Sequence, residues 1–314
     1  MDSHEGGQPV PGTFAYFEGK LVPLEEAKIS VLTHGFLYGT GIFEGIRGYY
    51  NEDQKDLYIF RLKDHYHRFK SNCRFLMIDL HQSVEELCDI TLEIIRKSGF
   101  KEDIYIRPVA YKSAQRIGLR LDGTSELTIF AVPMGAYLNR ERPLHVTISS
   151  WRRVEDNAIP SRAKITGGYV NLSVASAEAI NAGFDEAILL NENGSVSEAA
   201  GMNLFVVRNG TLITPAVTDN VLEGITRNTI FEMARDLEIP YEQRSIDRSE
   251  LTVAEEAFLC GTGAEIAVIG SIDSRNIGTG QKGPITARIQ DLYFQTVRGR
   301  VSRYKKWLTP VWNA

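Results

Sequence analysis

Apolar residues recur along the chain with two different periods, and the switches between them mark out its elements. In "DIYIRPVAY" (103–111), Ile104 and Ile106 fall on one face and Tyr105 and Arg107 on the other, the alternation of a strand with one buried side. In "SVEELCDITLEIIRKSG" (83–99), Leu87, Ile90 and Ile94 share a helical face. Ser83 and Glu86 there form a capping box, and Gly99 ends the helix. "FAYFEGKLVPL" predicts two strands about a Glu18-Gly19 turn, "DLYIFRL" and "LTIFAVPMG" predict strands, and "KDHYHRFKSNCRFL" predicts a helix.

Beyond residue 143 the same alternation of types continues. "LHVTISSW" reads as a strand, and "YVNLSVASAEAINAG" as a helix closed by Gly183. "DEAILLNENGSVSEA" and "NLFVVRNGTLITP" read as hairpins, with Asn209-Gly210 suited to a type I′ turn. "GITRNTIFEMARDLEIP" is a helix entered through Gly224, "EAFLCGTGAEI" a strand running into a Gly-rich turn, and "GPITARIQDLYFQTVRG" a last long helix. Both halves thus mix α and β. The segment "PMGAYLNRERP" (133–143) breaks the pattern with Pro133, Gly135, Pro143 and several charges. The expected organisation is a small N-terminal α/β domain (1–137, its first dozen residues flexible), a linker (138–143) and a larger C-terminal α/β domain (144–314).

Composition narrows the function classes. The net charge of −5 and the lack of a long basic run argue against nucleic acid as a partner. No apolar run reaches membrane-spanning length, and "MDSHEGGQPVPG" lacks the basic and apolar parts of a signal peptide. The three cysteines, Cys73, Cys88 and Cys260, are far apart and odd in number, which points to a reducing cytoplasm rather than a disulfide framework. There is no C-x-x-C, and His65 and His67 lie two apart on a helix, facing different ways, so no metal site is expected.

Two stretches suit an anion. In "EGITRNTI" the N–H groups at a helix start favour a phosphate, although from sequence alone Thr226 as a simple helix cap is the readier explanation. "CGTGAEI" offers a further nest of N–H groups, or a plain tight turn. "RAKITGGYVNL" sets Lys164 before a Gly-Gly pair; most lysines are solvated surface charges, and spacing alone does not decide its role.

The order of motifs does. "HGFLYGTGIFEGIRGY" (34–49), "YIRP" (105–108), "GAYL" (135–138), "AKITGGYVN" (163–171), "VSEAAGMNLF" (196–205), "GITR" (224–227) and "GTGAEI" (261–266) together resemble the branched-chain-amino-acid aminotransferases, which are fold type IV pyridoxal-phosphate enzymes. The resemblance implies two α/β domains with pyridoxal 5′-phosphate between them. It makes Lys164 the Schiff-base lysine; a free lysine, with a pKa near about 10.4, needs a desolvated pocket to act at neutral pH. It assigns Glu198 to the pyridine nitrogen, Tyr169 to the ring hydroxyl, and Arg68, Ile225, Thr226 and Thr262 to the phosphate. Asn203 and Leu222 lie on the cofactor side, and Met202 stands where many relatives carry a glutamate.

For the substrate, the resemblance implies an apolar wall of Tyr38, Phe43 and Tyr169, with Gly45, Arg47, Gly263 and Ala264 nearby. Tyr105, Arg107 and Tyr137 match residues near the substrate, Arg107 for the distal carboxylate of glutamate. Ile117, Gly118 and Leu119 match a loop that reaches the neighbouring subunit's site, so at least a homodimer is expected. The implied activity transfers the amino group of L-leucine, L-isoleucine or L-valine to 2-oxoglutarate. D-amino-acid and (R)-amine transaminases and aminodeoxychorismate-type lyases share Lys164, Glu198 and Arg68 counterparts. Tyr105, Arg107 and the 117–119 loop favour the L-branched-chain assignment. A non-catalytic binding paralogue would be expected to lack Lys164 or Glu198.

Overall fold

The computed structural model describes residues 7–135, 138 and 142–313. The expectations on residues 1–6, on Tyr137 and on most of the linker lie outside the described residues. The chain forms two compact units, one of 1–137, 163–167 and 295–314, the other of 138–162 and 168–294.

The first unit is built on β1 (Phe14–Phe17), β2 (Lys20–Pro23), α1 (His34–Tyr38), β3 (Gly41–Phe43), β4 (Ile46–Asn51), β5 (Asp56–Phe60), α2 (Leu62–Cys73), α3 (Val84–Ser98), β6 (Ile104–Lys112) and β7 (Ser125–Pro133). Its sheet has the order Leu308–Pro310, β5, β4, β6, β7, β1, β2, with β3 beside β6. The β1–β2 turn is made by Glu18 and Gly19, both at positive φ, as its sequence predicts. Both bonds of the Ser83–Glu86 capping box form, and Gly99 closes α3 at φ 72°. The inward side of the period-two segment, Ile104, Ile106 and Ala110, packs with Ile46, Tyr66, Phe69, Leu87 and Ile94 into one core. The returning C-terminal strand is fastened by Asp56, whose Oδ1 accepts the Trp312 N–H at 2.8 Å.

The second unit contains β8 (Leu144–Arg152), α4 (Tyr169–Asn181), β9 (Glu186–Leu190), β10 (Val196–Ala199), β11 (Asn203–Arg208), β12 (Thr211–Thr214), α5 (Ile225–Asp236), β13 (Tyr241–Gln243), α6 (Arg248–Thr252), β14 (Glu256–Gly261), β15 (Glu265–Ile272), β16 (Arg275–Asn276) and α7 (Pro284–Val297). Its sheet order is β10, β9, β8, β15, β14, β11, β12, β13, with β16 beside β15. The β8–β9 and β8–β15 pairs are parallel and β14–β15 is an antiparallel hairpin. Asn209 and Gly210 take positive φ in the β11–β12 turn. Among the described residues no helix is long and apolar enough to cross a membrane.

Glu186, at the start of β9, is buried, and accepts the Ala187 N–H and a bond from Ser176 of α4. Burial outweighs these bonds and raises its carboxyl to about 7. The native state therefore keeps this proton longer than the unfolded chain. Its contribution to stability is full below the ordinary carboxylate range and is lost as pH rises from about 4.5 to about 7. Glu186→Gln should remove that loss: in urea titrations at pH 5 and pH 8, the variant's midpoint should gain on the wild type's at the higher pH.

Candidate active site

In the first unit the sequence-derived residues gather around three consecutive positions, Phe43, Glu44 and Gly45. β3 lies antiparallel to 163–167 through an Ile42–Ile165 bridge, and the Phe43 N–H donates to the Lys164 carbonyl at 3.1 Å. Thr166 Oγ1 closes the contact, accepting from the Gly41 N–H at 3.1 Å and donating to the Gly39 carbonyl at 2.7 Å. A Cβ on Gly39 would stand 2.6 Å from Gly167 Cα. Gly39 is thus small because the Gly167 backbone lies against it, and a Cβ on Gly167 would in turn stand 3.2 Å from the Gly39 carbonyl oxygen.

The side chains follow from this frame. Lys164 Nζ lies 4.7 Å from the centre of the Phe43 ring, and the Arg107 guanidinium 4.5 Å from the same ring. Arg107 Nη2 donates to Tyr105 Oη at 3.0 Å, while its buried Nε has no hydrogen-bond partner among the described residues. Tyr105 Oη fills the place of a Gly45 side chain: a Cβ there would stand 1.9 Å from it. Burial, the Arg68 charge and, more weakly, Arg107 depress the Lys164 ammonium to about 8, against the opposing pull of Glu44 and Tyr105.

Arg68 sits on α2 and donates from Nε and Nη2 to the two oxygens of Glu44, each at 2.7 Å. His65, one helical turn earlier, meets Glu44 Oε2 from Nδ1 at 2.9 Å. Burial alone would push the Glu44 carboxyl up; the Arg68 charge and the bonds from His65 and Arg68 together hold it well below the carboxylate range. His65 is buried and His67 exposed, so the H-x-H pair divides between core and solvent.

Arg47 is placed elsewhere. Its buried side chain bonds the Gly135 carbonyl at 2.9 Å and lies over Tyr49. Tyr38, on α1, is joined to the 117–119 loop: the Gly118 N–H donates to Tyr38 Oη at 3.1 Å, and His34 Nε2 meets the Gly118 carbonyl at 2.9 Å. Gly118 has φ 133°, and its neighbours Ile117 and Leu119 are 81% and 79% exposed.

In the second unit Glu198, on β10, is buried within a set of donors. Arg153 Nη2 reaches Oε1 at 3.1 Å; Asn203 Nδ2 and the Leu222 N–H reach Oε2 at 2.9 and 3.1 Å. Arg153 is held in turn by the Asn220 carbonyl, and Asn220 by Asn191 and Glu155. α5 starts at Ile225 with Gly224 as its cap and no side-chain cap bond. Thr226 is therefore inside the first turn rather than the cap. Gly224 has no room for a side chain, since a Cβ would stand 2.1 Å from Asn203 Oδ1. Thr262, Gly263 and the buried Ala264 form the β14–β15 turn, and Met202 is buried beside Gly261. Tyr169 opens α4 and packs against the cluster of Leu172, Ala175, Ala179, Ala187 and Leu189.

Sequence reasoning missed Glu44, His65, Arg153 and Asn220. Glu44 was signalled only as a charge inside an otherwise apolar run, "GIFEGI".

The model of the amino-transferase class IV family matches residues 41–272, from β3 to the end of β15. The chain is 50% identical over 302 residues to a probable branched-chain-amino-acid aminotransferase of Aquifex aeolicus, covering 96% of this chain and 97% of the relative. It is 36% identical to the branched-chain-amino-acid aminotransferase of Escherichia coli (strain K12), over 95% of this chain and 97% of that one. Among solved structures, the branched-chain aminotransferase from Thermoproteus uzoniensis with norvaline is similar at a TM-score of 0.92 and 45% identity, over 96% of this chain and 99% of that chain. The branched-chain amino acid aminotransferase from Thermobaculum terrenum in its PLP-form gives 0.89 and 39%, over 96% of this chain and 98% of that chain. The fold class expected from the motifs is the one observed, and the protein belongs to the class IV aminotransferases of fold type IV.

Proposed function

We propose that this enzyme transfers the amino group of L-leucine, L-isoleucine or L-valine to 2-oxoglutarate with pyridoxal 5′-phosphate as cofactor. The observation that carries the reading is Lys164: a lysine whose amine is brought to about 8, stacked on Phe43 and flanked by Arg68 and Arg107. The relatives named as branched-chain aminotransferases support the substrate class.

The donor set fits the cofactor. In the first unit the Lys164 amine suits its aldehyde and the Arg68 guanidinium a phosphate; in the second, the N-terminal turn of α5 with Ile225 and Thr226, and by resemblance Thr262, are of the kind that takes a phosphate. Tyr169 is assigned to the ring hydroxyl. Glu198, whose oxygens accept from a guanidinium, an amide and a backbone N–H, is the carboxylate assigned to the ring nitrogen. When bound, pyridoxal phosphate supplies the aldehyde that takes the amine and a ring that accepts the electron pair left on the substrate Cα. Lys164 Nζ, uncharged in a useful fraction near neutral pH, would move the proton from the substrate Cα to the carbon that came from the aldehyde. Phe43 and Tyr38 offer apolar surface to a branched side chain; Arg107, whose buried Nε has no hydrogen-bond partner among the described residues and which has Tyr105 beside it, offers the charge for glutamate's distal carboxylate.

Self-association is part of the proposal. Val31, Phe36, Ile117 and Leu119 expose 64–81% of their surface on one unit, together with Tyr38. Apolar residues displayed this densely suit a second copy of the chain. The three cysteines, all buried and free, fit a cytoplasmic enzyme.

The deciding experiment is an absorption titration of the cofactor-loaded enzyme. L-leucine alone should bleach the visible band and 2-oxoglutarate should restore it, while Lys164→Ala should do neither. A band indifferent to L-leucine, or full turnover by Lys164→Ala, would sink the reading. Arg107→Ala should raise the KM for 2-oxoglutarate about tenfold, the scale of a lost charged hydrogen bond, and affect leucine less; equal losses would count against its role. Phe36→Asp should shift sedimentation towards the monomer, and an unchanged profile would exclude that surface from the interface.

A further inference from the structure

We infer that Glu44 is the positioning residue of the phosphate-binding arginine, and that it also serves as the counter-charge that keeps Arg68 from acting on Lys164 as an uncompensated cation. The inference rests on the proposed reading of Arg68 as a cofactor-phosphate ligand.

Glu44 has no exposed surface, an expensive place for a carboxylate unless every lone pair finds a purpose. Its backbone is fixed first: it joins β3 to β4, and its N–H donates to the Pro108 carbonyl of β6 at 3.0 Å. The side chain then points at α2, where residues 65 and 68 share one face. Nε and Nη2 of Arg68 each meet one Glu44 oxygen at 2.7 Å. A guanidinium is planar, so two parallel bonds along one edge fix its plane and, with it, the direction of Nη1. His65 holds Glu44 Oε2 from the other side at 2.9 Å. Burial keeps the imidazole neutral, so it steadies the carboxylate by donation from Nδ1–H without adding a cation. Arg68 therefore arrives at its ligand with its rotamer already chosen, in place of paying that ordering on binding.

The charge of the same carboxylate also reaches Lys164. The groups acting on that amine are Arg68 and Arg107, which disfavour its ammonium, and Glu44 and Tyr105, which favour it. Among these Glu44 is the carboxylate, so removing its charge leaves two guanidiniums to act on the lysine.

The test compares binding of pyridoxal 5′-phosphate and of pyridoxal, which lacks the phosphate, to apoenzyme by fluorescence. Arg68→Ala should abolish most of the preference for the phosphorylated form. Glu44→Gln should lower that preference about tenfold, the scale on which an orienting partner acts, and pyridoxal affinity should hold. The Glu44→Gln/Arg68→Ala double variant should lose little beyond Arg68→Ala, because the two act as one unit. A second readout is the pH midpoint of Lys164 modification by an amine reagent in apoenzyme: Glu44→Gln should move it below the wild-type value.

If Glu44→Gln fails to fold, Glu44→Asp decides. It keeps the charge but withdraws the fork, so the phosphate preference should fall while the lysine midpoint stays. Unaltered phosphate preference in Arg68→Ala would overturn the reading of Arg68 and the inference with it. Loss in Arg68→Ala but not in Glu44→Gln or Glu44→Asp would overturn the inference alone. Equal loss of pyridoxal and pyridoxal phosphate in the Glu44 variants would also overturn it, reducing Glu44 to a structural ion.

Discussion

The packing of Phe43, Glu44 and Gly45 against Lys164, Arg68 and Tyr105 is the constraint on which the chemistry of the first unit depends. Each of the three residues acts through a different property. Phe43 contributes a backbone N–H to the Lys164 carbonyl and a ring face to the Lys164 and Arg107 cations. Glu44 contributes a charge to Arg68, and Gly45 an absence, the space that Tyr105 Oη fills. A shift of the segment by one residue would turn each side chain to the opposite face and undo all three contacts at once. The Thr166 bonds to Gly39 and Gly41 hold the register from the other strand.

Charge follows one logic in both units. Each of two buried carboxylates is given its own arginine: Glu44 has Arg68, and Glu198 has Arg153. Both pairs are also bonded to neutral donors, His65 in the first and Asn203 with the Leu222 N–H in the second, so burial is offset by several partners. The lysine is treated in the opposite way. Burial first, and then the Arg68 charge, bring its amine down to about 8. One cluster thereby keeps an acid charged and a base partly uncharged.

Local features were legible in the sequence because their causes are local. The Ser83–Glu86 box, the Asn209-Gly210 turn and the two faces of β6 depend on residues one to four positions apart. The motifs also named the residues that surround Lys164 and Glu198. What was illegible depends on distant partners. β3 is three residues long, and its neighbour strand lies at 163–167. The strand Leu308–Pro310 pairs with β5 some 250 residues earlier, a pairing no local period encodes. Glu44 and Arg153 read as ordinary charges because only the fold reveals that they are buried and matched. The choice between Thr226 as cap and Thr226 within the helix turned on Gly224, whose backbone ends the loop and leaves no side chain at the cap.

The proposed pair of substrates poses one physical problem: a single pocket must take a branched hydrocarbon and, in turn, a carboxylate. The Arg107 arrangement answers it without moving a charge in and out. A guanidinium is weakly hydrated on its faces and donates only from its edge. Arg107 is stacked on Phe43, and Tyr105 takes one of its edge donors, leaving Nε buried without a bond among the described residues. Stacking makes the cation part of an apolar wall, where a leucine side chain costs no lost hydrogen bond. The edge, already desolvated and aimed by Tyr105, is ready for a carboxylate. Gly45 is what permits this: any larger residue would push Tyr105 away, and the arginine with it. On the proposed reading, one stacked arginine and the glycine that gives it room would serve both of these unlike side chains.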